Sequence, residues 1–162
     1  MVLGEGSAVF AVEKGYKQNA LAIIKGIGYA TETITHPVAI SPDAQALQKS
    51  MKQALQGFSP SQVDVVIPHC TGTIKGDQAE YHALKQVFRE HLPLLTSNKW
   101  MIGHTFASSG ALALEMAILM LIHQTFLEIP YLPKTPTKPL RNILINATGF
   151  GGNAVSILVC LP

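Results

Sequence analysis

Residues 111–122 read ALALEMAILMLI, an apolar run broken only by Glu115. A membrane crossing needs roughly 20 consecutive apolar residues. The run falls short, so no membrane span is expected and it reads instead as a helix buried in a large core. A helix that is apolar nearly all round must be covered on more than one face. A single sheet covers only one of them, which leaves a second apolar face to meet something else.

Length and composition fit a core of that size. The chain has 162 residues, 48% of them hydrophobic and 14% charged, enough for one domain with a substantial interior. Twelve basic residues against ten acidic ones give a net charge of +2. The cations are scattered, so no nucleic-acid footprint is expected. Two cysteines, Cys70 and Cys160, show no disulfide framework. A reducing compartment, the cytoplasm, is the corresponding expectation. The N-terminus lacks a basic region followed by a long apolar core, so no secretory signal is expected.

Apolar and β-branched stretches at 7–12 and 21–27 are expected to be strands, joined by a polar link at 13–19. Residues 29–40 read as a loop. Ser41-Pro42-Asp43 looks like a helix start with Ser as N-cap and Pro at the first helical position. Ala44, Leu47, Met51, Ala54 and Leu55 then share a face, and Gly57 ends the helix. Further on come a strand at 63–67, a helix at 76–88, a short strand at 94–96, a loop at 97–103 and the apolar helix at 108–124. Residues 131–139 read as an extended loop. Strands at 142–147 and 154–161 are joined by a glycine-rich turn. The pattern predicts a layered α/β domain with a mixed sheet.

Three segments follow apolar strands, where functional loops usually sit: HCTGT at 69–73, SNKWMIGH at 97–104 and GFGGN at 149–153. Individually they are weak. Cys70 next to His69 is not a dyad by adjacency, and a lone cysteine is commonly an inert small hydrophobe. Lys99 alone would be a surface lysine, and the glycine run alone a turn. His69, Cys70, His82 and His104 have no recognised zinc spacing, so no metal is expected.

Taken together and in order, HCTGTIKGDQAE, SNKWMIGHTFASSGA and GFGGNA resemble the C-terminal half of a β-ketoacyl synthase. These are the condensing enzymes of fatty acid and polyketide synthesis. The family pattern is H-G-T-G-T-x-x-G-D-x-x-E, then S-x-K-x-x-x-G-H, then G-F-G-G-x-N. LGEGSAVFAVEK at 3–14 likewise resembles the family's G-E-G-A-G strand.

The resemblance implies the thiolase-like fold, its C-terminal half having a mixed sheet packed by helices. It implies residues 1–28 as closing strands of a missing N-terminal half and 29–162 as the C-terminal domain. The implied reaction is a decarboxylative Claisen condensation on acyl and malonyl groups carried by acyl carrier protein, with no cofactor. His69 and His104 match the two family histidines, with Lys99 ordering the surroundings of His104. Thr71, Thr73, Phe150 and Gly151 fall on the substrate side, Phe150 as the aromatic gate of the acyl pocket. Asp77 and Glu80 match the acidic pair behind the first histidine. The nucleophilic cysteine belongs to the absent half.

Several positions depart from the pattern. Cys70 stands where the family has glycine, which adds strain if that position needs a positive φ. Ala107-Ser108-Ser109-Gly110 replaces Gly-Ala-Ala-Gly. In the third motif either one residue is lost or Asn153 takes the variable position. No T-A-C-S element is present, so a truncated or split chain is expected, pairing with its missing half or a partner chain as a homo- or heterodimer. A non-catalytic subunit resembling a chain-length factor is the alternative, and an α/β binding module is a third reading.

Overall fold

The computed structural model describes residues 1–15, 17–33, 36, 40–131 and 136–162. Among the described residues, five strands, β1 (Ile23–Thr31), β2 (Val65–Ile67), β3 (Leu94–Leu95), β4 (Asn142–Gly149) and β5 (Asn153–Cys160), form one sheet in the order β1-β5-β4-β2-β3. β2 is parallel to β3 and β4, while β5 runs antiparallel to both β1 and β4. The sheet is mixed, as expected. This topology sends the chain out of β1, β2, β3 and β4 at the same rim. Loops 69–73 and 97–104 and turn 149–153 therefore lie at one end of the sheet.

Helices α1 (Gln45–Ala54) and α2 (Ile74–Phe88) cover one face, and α4 (Ser109–His123) lies on the other. The short α3 (Lys99–Ile102) lies in the rim loop. Alternation along the strands divides the core. Val66, Leu144 and Leu158 pack with Leu47, Met51, Leu84 and Phe88. Val65, Ile67, Ile143, Ile145 and Val159 pack with Ala113, Met116, Ala117, Met120 and Leu121. Burial on both faces explains why β2 reads as an unbroken apolar run.

The alternating glycines of β1 set how closely α1 approaches. A Cβ at Gly28 would come within 1.8 Å of the Ser50 carbonyl oxygen, and one at Gly26 within 2.0 Å of that of Ala54. The helix backbone therefore lies directly on the strand. Beneath it, the Ser50 and Ser156 hydroxyls meet at 2.8 Å, and Ser156 donates to Asn146 Oδ1 at 2.8 Å.

Residues 7–12 are not a strand. Apolar composition gives no ladder without a neighbour for the backbone groups, and Val9 and Val12 are exposed. Ahead of this segment, Leu3 forms an isolated bridge with His104. β1 runs on to Thr31, so residues 29–31 are not loop: they keep register with β5 through Thr31 against Asn153. The expected domain boundary at residue 28 falls inside this strand. Ser41-Pro42-Asp43 is not the first helical turn, because α1 begins at Gln45 after Ala44 in the left-handed region at φ 44°. The Glu32 carboxylate accepts from the Ser41 amide and hydroxyl at 2.8 Å each and from the Ala46 amide at 3.0 Å. Loop 97–103 contains α3. Residues 34–35, 37–39 and 132–135, from the two expected loops 29–40 and 131–139, lie outside the described residues, as does Tyr16 of the polar link.

By length and composition alone, residues Phe106–His123 could cross a membrane. In the fold this helix packs on β4 and β5, as a core helix does. Leu119 (48%) and Ile122 (42%) remain exposed on its far side, which is the second apolar face that the sequence requires.

Candidate functional site

Pro68 closes β2, and the chain turns at His69 and Cys70. Cys70 adopts φ 45°, so its position does require the left-handed conformation that favours glycine. The turn is held from beneath by α2. Glu80, fully buried one and a half turns into that helix, accepts the His69 amide at Oε1 and the Cys70 amide at Oε2, both at 2.8 Å. Asp77, in the first turn of α2, accepts the Gly72 amide at 3.2 Å. The acid pair of the motif thus holds the backbone of the first histidine loop.

His104 follows α3, and both its backbone groups are engaged. Its amide donates to the Val2 carbonyl at 2.8 Å, and its carbonyl accepts the Gly4 amide at 3.1 Å. Nδ1 accepts the Phe106 amide at 2.9 Å, which leaves the proton of the neutral imidazole on Nε2. Phe106 reaches that geometry at φ 49°, and its ring lies 5.2 Å from the imidazole. His69 and His104 meet edge to face with ring centroids 5.1 Å apart.

The electrostatics keep both imidazoles neutral. Burial, with the Lys99 ammonium and His104 nearby, pushes His69 down to about 3. Burial and Lys99 also lower His104. Lys99 itself is lowered by burial, against the opposing pull of Glu80, Cys70 and Asp77. Burial raises Glu80 and Asp77. The Cys70 thiol is pushed up to about 12 by burial and by Glu80 and Asp77. A thiol so far from ionisation is a poor nucleophile at neutral pH.

His69, His104, Lys99, Glu80 and Asp77 therefore form one cluster. Thr71 and Thr73 pair through their hydroxyls at 3.0 Å on the exposed side of the same loop. Phe150 is exposed in the turn between β4 and β5, beside Gly151 at φ 87°. That turn shares the rim but is a separate loop. Asn153 opens β5, donating to the Phe150 carbonyl at 3.1 Å and accepting the Tyr29 hydroxyl at 2.9 Å. Cys160 lies at the opposite end of the sheet, beside Asn142 and Ile23. A surface depression among Gln124, Lys138 and Leu161 is also remote from the cluster. Sequence reasoning missed Phe106. Its role rests on a backbone amide in a strained conformation, which no residue pattern announces.

This arrangement offers neutral hydrogen-bond donors beside a half-buried cation, suited to an oxygen on which negative charge develops. The comparisons agree with the resemblance. A model of the β-ketoacyl synthase C-terminal domain matches residues 21–131. The chain is 30% identical to 3-oxoacyl-[acyl-carrier-protein] synthase 2 of Coxiella burnetii over 93% of this chain and 42% of that protein. It is 29% identical to the mitochondrial 3-oxoacyl-[acyl-carrier-protein] synthase of Arabidopsis thaliana, over 97% of this chain and 39% of that protein. Among solved structures, a ketosynthase in complex with its chain length factor from Xenorhabdus doucetiae is 25% identical at a TM-score of 0.77, covering 90% of this chain and 40% of that one. The chain thus spans about two-fifths of these relatives. It has their thiolase-like fold and belongs to the β-ketoacyl synthase C-terminal domain family.

Proposed function

We propose that this chain supplies the enolate-stabilising part of a β-ketoacyl synthase. The observation that carries the reading is the pair of neutral imidazoles, 5.1 Å apart, with the His104 proton directed to Nε2 by the Phe106 amide. When a malonyl thioester loses carbon dioxide, the electrons of the broken C–C bond pass to the thioester oxygen. His104 Nε2–H and an N–H of His69 donate to that oxygen. The carbanion then attacks an acyl thioester, forming a C–C bond and expelling a cysteine thiolate. Lys99 biases both imidazoles toward neutrality. Thr71, Thr73, Phe150 and Gly151 border the substrate side, with Phe150 gating the acyl chain.

The attacked thioester belongs to a cysteine outside these 162 residues. Cys70 is held protonated, and Cys160 is at the far end of the sheet. The proposed partners are an acyl carrier protein bearing the acyl and malonyl groups and a chain or segment that provides the cysteine, in a dimeric assembly. Residues 1–28 would pack with that second part. Two free thiols suit a reducing compartment such as the cytoplasm.

The test separates two half-reactions in the assembled enzyme. His69→Ala and His104→Ala should each slow malonyl decarboxylation on the order of 100- to 1000-fold, with acylation of the cysteine surviving in part. Wild-type decarboxylation in both variants would remove the histidines from the mechanism. The isolated chain should form no acyl-enzyme, and stoichiometric acylation of Cys70 with turnover would overturn the assignment. A non-catalytic subunit resembling a chain-length factor is the second reading, motivated by the Xenorhabdus doucetiae complex. In that case neither histidine variant would alter the partner's rate.

A further inference from the structure

The LGEG stretch is left unexplained by the reaction. It forms no regular strand, yet it contains the tightest backbone crossing at the rim. A Cβ at Gly4 would lie 1.8 Å from the Ile102 carbonyl oxygen and 3.2 Å from Gly103 Cα. Reciprocally, a Cβ at Gly103, which sits at φ 72°, would lie 2.8 Å from Gly4 N and from the Leu3 carbonyl. Two glycines cross with no room for a side chain on either.

The crossing brings residues 2–4 onto His104, with hydrogen bonds at 2.8 Å from His104 N–H to Val2 and 3.1 Å from Gly4 N–H to His104. One residue earlier, Met1 passes beside the other histidine loop, its Cα 3.7 Å from where a Gly72 Cβ would stand. The side chains of Val2 and Leu3 are exposed, so the strap acts through its backbone. His69 is fixed by Glu80 from within the domain, whereas the backbone of His104 is fixed by a segment that approaches from outside the sheet.

We propose that Gly4, crossing Gly103, is a positioning residue for His104, and that the strap at residues 1–4 sets the spacing of the two imidazoles. Any side chain at position 4 lifts the strap from Ile102. The two backbone bonds are then lost, and the His104 ring is no longer confined against His69. The predicted consequence for the proposed condensing reaction rests on that reading. A displacement on the ångström scale costs about 100-fold in rate, falling on kcat for decarboxylation with KM little changed.

The structural claim is tested without activity, by NMR on the chain as it exists. In the unmodified chain, the Gly4 and His104 amides should share one protection factor, because they open together. In Gly4→Ala, both should exchange about tenfold faster or more, and the His69–His104 ring contact should be lost. The β4 amides of Ile143 and Ile145 should keep their protection. Gly57→Ala is the control. It adds a methyl group at φ 76° with nothing within 4 Å, a backbone cost without a crossing, and should leave His104 unchanged. A Gly4 amide that exchanges freely while His104 stays protected would overturn the proposal, as would an unchanged ring contact in a folded Gly4→Ala. If Gly4→Ala does not fold, the shared protection in the unmodified chain decides. If the NMR result holds and kcat does not move, the strap stands and the condensing role of His104 fails instead.

Discussion

The two histidine loops reach one geometry by different means. His69 is held by charge: a buried carboxylate binds its own amide and the next one, and burial drives its imidazole to about 3. His104 is held by backbone: a strap on its main chain and the Phe106 amide on Nδ1. Each loop contains one bulky residue in the left-handed region, Cys70 at φ 45° and Phe106 at φ 49°. Such residues cost of order 1–3 kcal/mol, so strain is present at both sites. A charge support is sensitive to pH and to loss of one carboxylate. A backbone support is sensitive to side-chain volume at a crossing.

The largest expected effect tests the charge support. A histidine whose folded pKa lies below its unfolded value stabilises the fold above the unfolded value, near 6.5, and that stability is lost as pH falls toward 3. Glu80 and Asp77, both raised, act in the opposite sense, and His104 acts with His69. Comparison with His69→Asn isolates the one group. Between pH 7 and 3 the stability difference, wild type minus variant, should fall by about 4–5 kcal/mol. A pH-independent difference in urea titrations would place the His69 ring in water.

Glu80→Ala comes next. It orphans one buried amide, that of His69, and one part-buried amide, that of Cys70, the buried one costing about 1–3 kcal/mol and the other less, and should lower the urea midpoint with an unchanged slope. Glu80→Gln keeps one acceptor oxygen and should lose about half as much. Equal losses would mean that charge, not hydrogen bonding, holds the turn.

The two strained residues give the smallest effects and separate the loops most sharply. Cys70→Gly relieves the left-handed position and should raise stability by about 1 kcal/mol, with the proposed decarboxylation intact. Phe106→Gly relieves a similar strain but removes the ring from His104. It should gain little stability and slow decarboxylation. Identical behaviour of the two variants would erase the distinction between a strained bystander and a strained support.

What could be read from the chain follows the range of the forces involved. The apolar run at 111–122 and the strand at 65–67 were legible because burial writes a local pattern. The glycine-rich turn was legible because hairpin geometry is short-range. The strand misassigned at 7–12 had the composition of a strand but no neighbour, and pairing is non-local. Ser41-Pro42-Asp43 has the local chemistry of a helix start, but the acceptor for the Ala46 amide is Glu32, nine residues upstream of that serine, which no local pattern shows. In the site, His69, Lys99, His104, Asp77 and Glu80 stood out through order and spacing within motifs. Phe106 and Gly4 did not, because each works through a main-chain amide.

The strand order has a consequence for how the chain is made. β5 is synthesised after the other four strands of this sheet, yet it lies inside it, between β1 and β4. β1 has its hydrogen-bonding partner only once residues 153–160 exist. At about 5–20 residues per second, translation leaves β1 unpaired for roughly 6–24 s. During that interval its isoleucines, Ile23, Ile24 and Ile27, form part of an open edge of the kind that templates mispairing. Lys25 interrupts them at the register shift between Ile24 and Gly26. A charge at that point is the one a nascent edge strand needs, in the place where the finished ladder is already irregular.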